Sequence, residues 1–266
     1  MGEIEDSLKL LDLLGRVLDA NKGLPVSNER EWYAEGLANK FFNHAFTVIR
    51  LSVTKNILDL QSRQIEISAL ASVDVLTRAA FEAFLVFHYV FFMPKTEEEQ
   101  DYKYLVYRLG GIMERQNLPA NSDEFKQKLI EDRQAIADIR KKLESNTIFQ
   151  SLSEKQKQTI LKGRWRSLSW SDIAKEAKLD VLLASHAYRQ LCGYAHSSSL
   201  SVLQIKQAFK KGEENALTEA SIIIINIMTA NIVYEYCELL PQAKDILSND
   251  QKGLDLVTRW VRVGYG

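Results

Sequence analysis

The 266-residue chain is 46% apolar, with 34 basic and 35 acidic residues and a formal charge of −1. That content supports a sizeable buried core, and the balance excludes a whole-molecule electrostatic argument for nucleic acid or membrane while leaving local patches open. Its two cysteines, Cys192 and Cys237, cannot build a disulfide framework, which favours a reducing, cytoplasmic compartment.

In chain order, Ile4–Asn21 sets Ile4, Leu8, Leu11, Leu14 and Leu18 at helical spacing, and Lys22-Gly23 with Pro25 end it. Ser27 or Asn28 caps a second helix that has Glu29 and Glu31 near its positive end and runs to about Leu60. Polar residues at Gln61–Gln64 mark a turn or kink. Ile67–Phe92 is the most apolar segment and is the expected central helix, stopped at Pro94. Thr96 followed by Glu97, Glu98 and Glu99 opens a helix through Tyr102, Leu105 and Leu109, with a bend at Gly110-Gly111 and an end at Pro119. Ser122–Ser145 carries Phe125, Leu129, Ile136, Ile139 and Leu143 on one stripe and reads as an outer helix.

Asn146–Ser171 is the least regular stretch, Asp172–Lys178 a short helix, and Lys206–Asn215 a charged loop containing Gly212. Thr218 is the expected cap of a second strongly apolar helix reaching about Leu240, and the tail is helical over Asp245–Leu247 and Leu254–Val263. No alternating strand pattern of any length and no repeat is present. The reading is an all-α, multi-helix bundle in one domain over 1–266, with an N-terminal helix in 1–25, a core bundle in 29–240 and a helical tail in 242–266.

Ala79–Met93 is interrupted by Glu82 and His88, and Ser221–Val233 by Asn226 and Asn231. Both fall short of the roughly 18 uninterrupted apolar residues of a span and are expected as buried core helices, with no membrane partner. The acidic Met1–Asp6 and the breaks at Lys9, Asp12 and Arg16 argue against a secretory leader.

Two constellations carry candidate chemistry. Within Asp180–Leu200, Arg189 and His196 lie seven positions apart, with Tyr188, Cys192 and Tyr194 around them. Seven residues are close to two helical turns, so both share a face if the helix continues; a helix end at Gly193 would instead put His196 on the following turn. Histidine serves as acid or base near neutral pH and guanidinium matches phosphate oxygens, so the pair suits RNA cleavage. The structural counterpart is a surface arginine and a hydrogen-bonded histidine.

The other constellation is the stripe of Asp74, Arg78 and Glu82 on the central helix, recurring every four residues among apolar neighbours. Charges buried there must pair with one another or face a polar cleft. A cleft opposite His196 makes the stripe functional, and a buried ion network makes it structural.

Other chemistries have less behind them. Cys192 and His196 are four apart and His186 lies ten before His196, but two helical ligands do not make a zinc site, so no metal or cofactor is expected. Neither GxxxxGK nor GxSxG occurs. Leu168–Leu179 resembles the first helix and turn of a helix-turn-helix, with Lys178 where glycine is usual and an overly apolar helix after it. Lys155, Lys157, Lys162, Arg164 and Arg166 with Trp165 form a basic, aromatic patch able to contact a nucleic-acid backbone.

Arg78 and Glu82 on a long apolar helix, then Trp165–Ala174, then Tyr188, His196 and Ser197 form an ordered set. It resembles a bacterial all-helical family of unknown function over roughly Glu29–Leu240. More distantly it is similar to the HEPN superfamily, whose mark is Arg, four to six residues, then His, met here by Arg189 and His196. Gln190 stands where that superfamily usually carries Asn, Asp or His. The resemblance implies a helical bundle, often dimeric, and a metal-independent endoribonuclease of a toxin or antiviral system, with Arg189 and His196 as catalytic pair. Arg78 and Glu82 join them in the expected site. RNA, a second copy or a partner protein are the expected partners. The alternative is a non-catalytic protein or nucleic-acid interaction module whose polar stripe is structural.

Overall fold

A computed structural model describes residues 2–20, 22, 28–54, 56–58, 62–66 and 68–265, and it is all-α apart from one short hairpin. In order the elements are α1 (Gly2–Asp19), α2 (Glu29–Val53), β1 (Asn56–Leu58) paired antiparallel with β2 (Gln64–Glu66), and α3 (Leu70–Phe87), continued by a π-helical turn over His88–Phe92. Next come α4 (Glu97–Arg115), α5 (Asp123–Ser145), α6 (Thr147–Ser151), α7 (Glu154–Leu161) and α8 (Trp170–Glu176). A second π-helical turn over Leu182–Ala187 leads into α9 (Tyr188–Ala195), α10 (Ser199–Lys211), α11 (Glu214–Leu239), α12 (Pro241–Ser248) and α13 (Gln251–Gly264). The chain sorts into two compact units, one formed by Met1–His88 with Trp170–Gly266 and the other by Tyr89–Ser169.

In the first unit α11 is the axis, packed by α1, α2, α3, α12 and α13. Its Ile225, Ile227, Met228, Ile232, Val233 and Tyr236 are all but sealed, as are Phe81, Phe84, Leu85 and Phe87 of α3. A helix buried on most sides shows little amphipathic stripe, and its polar residues must find partners inside. Asn226 does so by accepting from Ser7 Oγ at 2.6 Å and donating to the Glu3 carbonyl at 2.9 Å. At 26 residues, Glu214–Leu239, α11 is by length and composition long and apolar enough to cross a membrane, yet two thirds of that window is buried.

The second unit is built on α4 and α5. Leu105, Leu109 and Ile112 of α4 meet Ile139 and Leu143 of α5, with Phe149 and Ile160 from α6 and α7. The two long helices run antiparallel, since Arg115 chelates Asp132 with two bonds of 2.6 Å while Glu98 accepts from Thr147. The arginine holds the Asp132 carboxyl below its usual range, by hydrogen bonding first and against burial.

Sequence expectations hold at the caps of Asn28 and of Thr96 with Glu99, where both arms of a capping box form. They fail elsewhere for identifiable reasons. α2 stops at Val53 instead of continuing to about Leu60: Thr54 goes extended as its C-cap, with its backbone N–H on the Leu51 carbonyl, while the hydroxyls of Ser52 and Thr54 turn back onto the carbonyls of Val48 and Arg50. A hairpin then replaces the expected helix end, its turn taken by Ser62 at φ 59°. Asn146–Ser171 contains two short capped helices, α6 and α7. Lys206–Asn215 is no loop but mostly the last turns of α10, where Lys210 and Lys211 suit the negative helix end and Gly212 closes it at φ 69°. Thr218 lies inside α11, its hydroxyl bonded back to the Glu214 carbonyl. Leu8, expected on the inner stripe of α1, is exposed. The alternative cap Ser27, the break at Gly23 and Pro25, and Gln61 lie outside the described residues.

Candidate functional site

The site is built where α3 and α9 lie side by side in the first unit. Tyr188 at the start of α9 reaches Glu82 late in α3, and His196 just past the end of α9 reaches Arg78 one turn earlier, so the helices run antiparallel. Gly193 does not end the helix. α9 continues to Ala195, and His196 is its C-cap at φ −102°, followed by Ser197 at φ 49°. This turn carries the imidazole out of the helix and over to α3.

Arg78 is the hub. Its Nε donates to Glu82 Oε1 at 3.0 Å and its Nη2 approaches the same oxygen at 2.9 Å, while Nη1 lies 3.3 Å from His196 Nε2. Guanidinium has only donors, so Nε2 is the acceptor and the ring proton sits on Nδ1. Tyr188 donates its hydroxyl to Glu82 Oε1 at 2.7 Å. Its ring packs 5.7 Å from that of Phe81 and lies 5.9 Å from the Arg78 guanidinium carbon.

The Arg78 and Glu82 side chains keep 21% and 29% of their exposure, so the pair sits at the edge of the core with solvent on one side. His196 is exposed. Burial, then the bond to Glu82, pushes the Tyr188 phenol well above its ordinary range, which keeps it a donor. For Arg78, burial acts to lower the pKa, but the Glu82 carboxylate together with Tyr188 and Cys192 outweighs it and the net shift is upward. The guanidinium stays charged.

Of the four expected site residues, Arg78, Glu82 and His196 meet directly. Arg189 does not join them: it is exposed on α9 and makes no hydrogen bond or ion pair among the described residues. Seven residues amount to about 10 Å of helix, beyond side-chain contact with an imidazole at the far end. Asp74 also leaves the group. It is 3% exposed and accepts from Ser221 Oγ on α11 at 2.6 Å. Tyr188, read in the sequence as a neighbour of Arg189 and His196 and not as a site residue, is the further residue that meets this group, through Glu82. A tyrosine beside Leu191 on a half-buried face reads as packing, and only its spacing to His196 pointed here.

The remaining candidates disperse. Among the described residues no three His, Cys, Asp or Glu side chains gather to hold a metal. In the helix-turn-helix-like stretch Ile173 is fully buried but Leu182 is 64% exposed, and Lys178 adopts φ 58°, the left-handed conformation for which glycine is the usual choice. His88 is sealed against Glu235 at 2.7 Å, and burial, with Lys40 nearby, holds half-buried His44 below its ordinary range.

The cluster at Arg78 can hold an anion and present a basic nitrogen beside it. Residues 53–212 match the model of DUF5677, a family of unknown function, a span that includes Arg78, Glu82, Tyr188, Arg189 and His196. No curated protein and no solved structure matches the chain.

Proposed function

The chain belongs to the DUF5677 family of unknown function, and from its own residues we propose a HEPN-like, metal-independent endoribonuclease. The observation that carries the reading is the approach of the Arg78 guanidinium to the exposed His196 imidazole at 3.3 Å, from segments 118 residues apart. Glu82 fixes Arg78 through Nε and Nη2 and leaves Nη1 for another acceptor. When an RNA phosphate takes that donor, Nε2 of His196 is released with its lone pair available.

In this scheme Nε2 accepts the proton of a ribose 2′-hydroxyl, whose oxygen bonds to the adjacent phosphorus as the bond to the 5′-oxygen breaks. The leaving oxygen takes a proton from water, and the imidazolium returns its own to solvent. The products are a 2′,3′-cyclic phosphate and a 5′-hydroxyl. Arg78 offsets the charge that builds on the phosphate, and Arg189, exposed on α9 away from the Arg78 contact, adds its charge at longer range. Glu82 and Tyr188 are positioning residues. The setting is that of a cytoplasmic toxin or antiviral defence system, acting as a homodimer or with a partner protein.

The test is incubation of labelled single-stranded RNA with the wild type and with His196→Ala, in EDTA. Wild-type cleavage leaving cyclic phosphate ends, slowed at least about 100-fold in the variant at unchanged melting temperature, supports the reading. Equal cleavage by both proteins would falsify it.

A second reading has its own observation. Glu82 Oε1 already accepts from both Arg78 and Tyr188 without any ligand, which suits a structural network in a non-catalytic interaction module. Under that reading neither protein cleaves, and His196→Ala lowers the melting temperature instead.

A further inference from the structure

A separate cavity of about 620 Å³ lies in the second unit, between the end of α4, the middle of α5 and the loop that follows α7. Two glycines bring that loop onto α4. A Cβ on Gly110 would stand 2.9 Å from both the Gly163 carbonyl oxygen and the Trp165 indole, and Gly163 itself takes φ 86°. The loop is held before any ligand arrives. Gly163 N donates to the Ile160 carbonyl at 2.8 Å, and Arg140 Nη2 to that of Leu161 at 3.1 Å. The Trp165 ring sits edge-on to Tyr107 at 5.3 Å.

This fixed loop sets three cations in one lining, Lys162, Arg164 and Arg166. Arg166 donates to the Leu168 carbonyl, whereas the side chains of Lys162 and Arg164 are exposed and meet no hydrogen-bonding or charged partner among the described residues. Half-buried Trp165 stands between the two arginines. Several other cations of this unit are committed, as with Arg115 on Asp132 and Lys157 on Glu154. The volume falls within the range of small-molecule sites.

We propose that this cavity binds a nucleoside monophosphate, its phosphate on Lys162 and Arg164 and its base against Trp165. Guanidinium and ammonium together suit a phosphate dianion, and an aromatic wall accepts the face of any base. The cavity is far larger than an inorganic ion, and Met113 and Ile136 add an apolar wall that such an ion would not use. Glu114 is in the same lining and repels a second phosphate, which disfavours a running strand. The Asn117 amide nitrogen gives one of its two hydrogens to the Met113 carbonyl, which leaves its oxygen for a base amino group or a ribose hydroxyl. None of this depends on cleavage at His196.

The test is calorimetric titration of the full chain at low salt with adenosine 5′-monophosphate, uridine 5′-monophosphate, inorganic phosphate and a short single-stranded RNA. Either nucleotide is expected to bind at least tenfold tighter than phosphate. That affinity should fall tenfold or more in Lys162→Glu/Arg164→Glu and stay unchanged in His196→Ala. If the charge reversal disturbs the circular dichroism spectrum, Lys162→Gln/Arg164→Gln replaces it. Equal affinity for phosphate, undiminished nucleotide binding in the double variant, or binding of the RNA alone overturns the proposal.

Discussion

Asp74, Arg78 and Glu82 occupy successive turns of α3, yet the two ends of this stripe behave as different chemical objects. Asp74 faces a neutral hydroxyl, Ser221 on α11, and is sealed from water. One donor does not offset the desolvation of a carboxylate, so its pKa rises to about 6 from 3.8, through burial first and against the Ser221 bond. Arg78 and Glu82 face a phenol, an imidazole and solvent, and each supplies the other's counter-charge. Spacing along one helix is therefore a poor guide to charge state. The neighbouring helix decides it: α11 offers a weak donor where α9 offers a polar edge.

The largest effect expected from breaking this comparison lies at Asp74. Below about pH 3.8 both folded and unfolded carboxyls hold their proton; between there and about 6 only the folded one does. The folded state binds more protons in that window, so stability falls as pH rises through it and is lower above it. The interval, 6 − 3.8, corresponds to about 3 kcal/mol. Asp74→Asn keeps an acceptor for Ser221 without the charge. Urea denaturation of this variant should show about 1–3 kcal/mol more stability at pH 7, and a flatter profile between pH 4 and 6. A slope identical to that of the wild type would assign the pH dependence to other groups.

At the other end, Glu82→Ala removes the shared acceptor and leaves a guanidinium and a phenol at the core edge without it. The expected loss is about 1–2 kcal/mol in the same denaturation, discounted for the solvent that reaches the pair. Because Arg78 is then no longer held, RNA cleavage should fall together with stability. A silent Glu82→Ala would mean that solvent already replaces the carboxylate. Tyr188→Phe keeps the ring on Phe81 and removes one of the two donors to Glu82, so about 0.5–1.5 kcal/mol is expected by thermal melting.

Sequence periodicity and capping chemistry made most helices legible, as Thr96 with Glu99 and the apolar runs of α3 and α11 illustrate. What escaped it were contests between neighbours. α2 ends where Thr54 goes extended, with no proline or glycine to mark it, and Lys210 and Lys211 belong to a helix that Gly212 closes, although charges next to a glycine read as a loop. In the candidate site, Arg78, Glu82 and His196 were each readable as polar groups with something to meet. Which partner each meets was not, because that depends on α3 and α9 lying antiparallel and on the Ser197 turn that carries the imidazole across. For the same reason the shared spacing of Asp74 with Arg78 and Glu82 does not reveal that it meets Ser221 instead, and the apolar ring of Tyr188 hides its role.

Arg189 gives the smallest expected effect on folding and the sharpest separation of roles. It is exposed and contacts no charged or hydrogen-bonding group among the described residues, so Arg189→Ala should change stability by no more than about 0.5 kcal/mol. If Arg189 contributes its charge to a bound phosphate, the same variant should cleave RNA more slowly, and added salt should narrow the gap to the wild type as the phosphate contact is screened. Arg78→Ala, by contrast, should lose stability and cleavage together, since that guanidinium serves the fold through Glu82 and the site through His196. A destabilised Arg189→Ala would reveal a structural contact for this side chain. An unaltered one with full cleavage would remove Arg189 from the site and leave Arg78 as the anion-holding group beside His196.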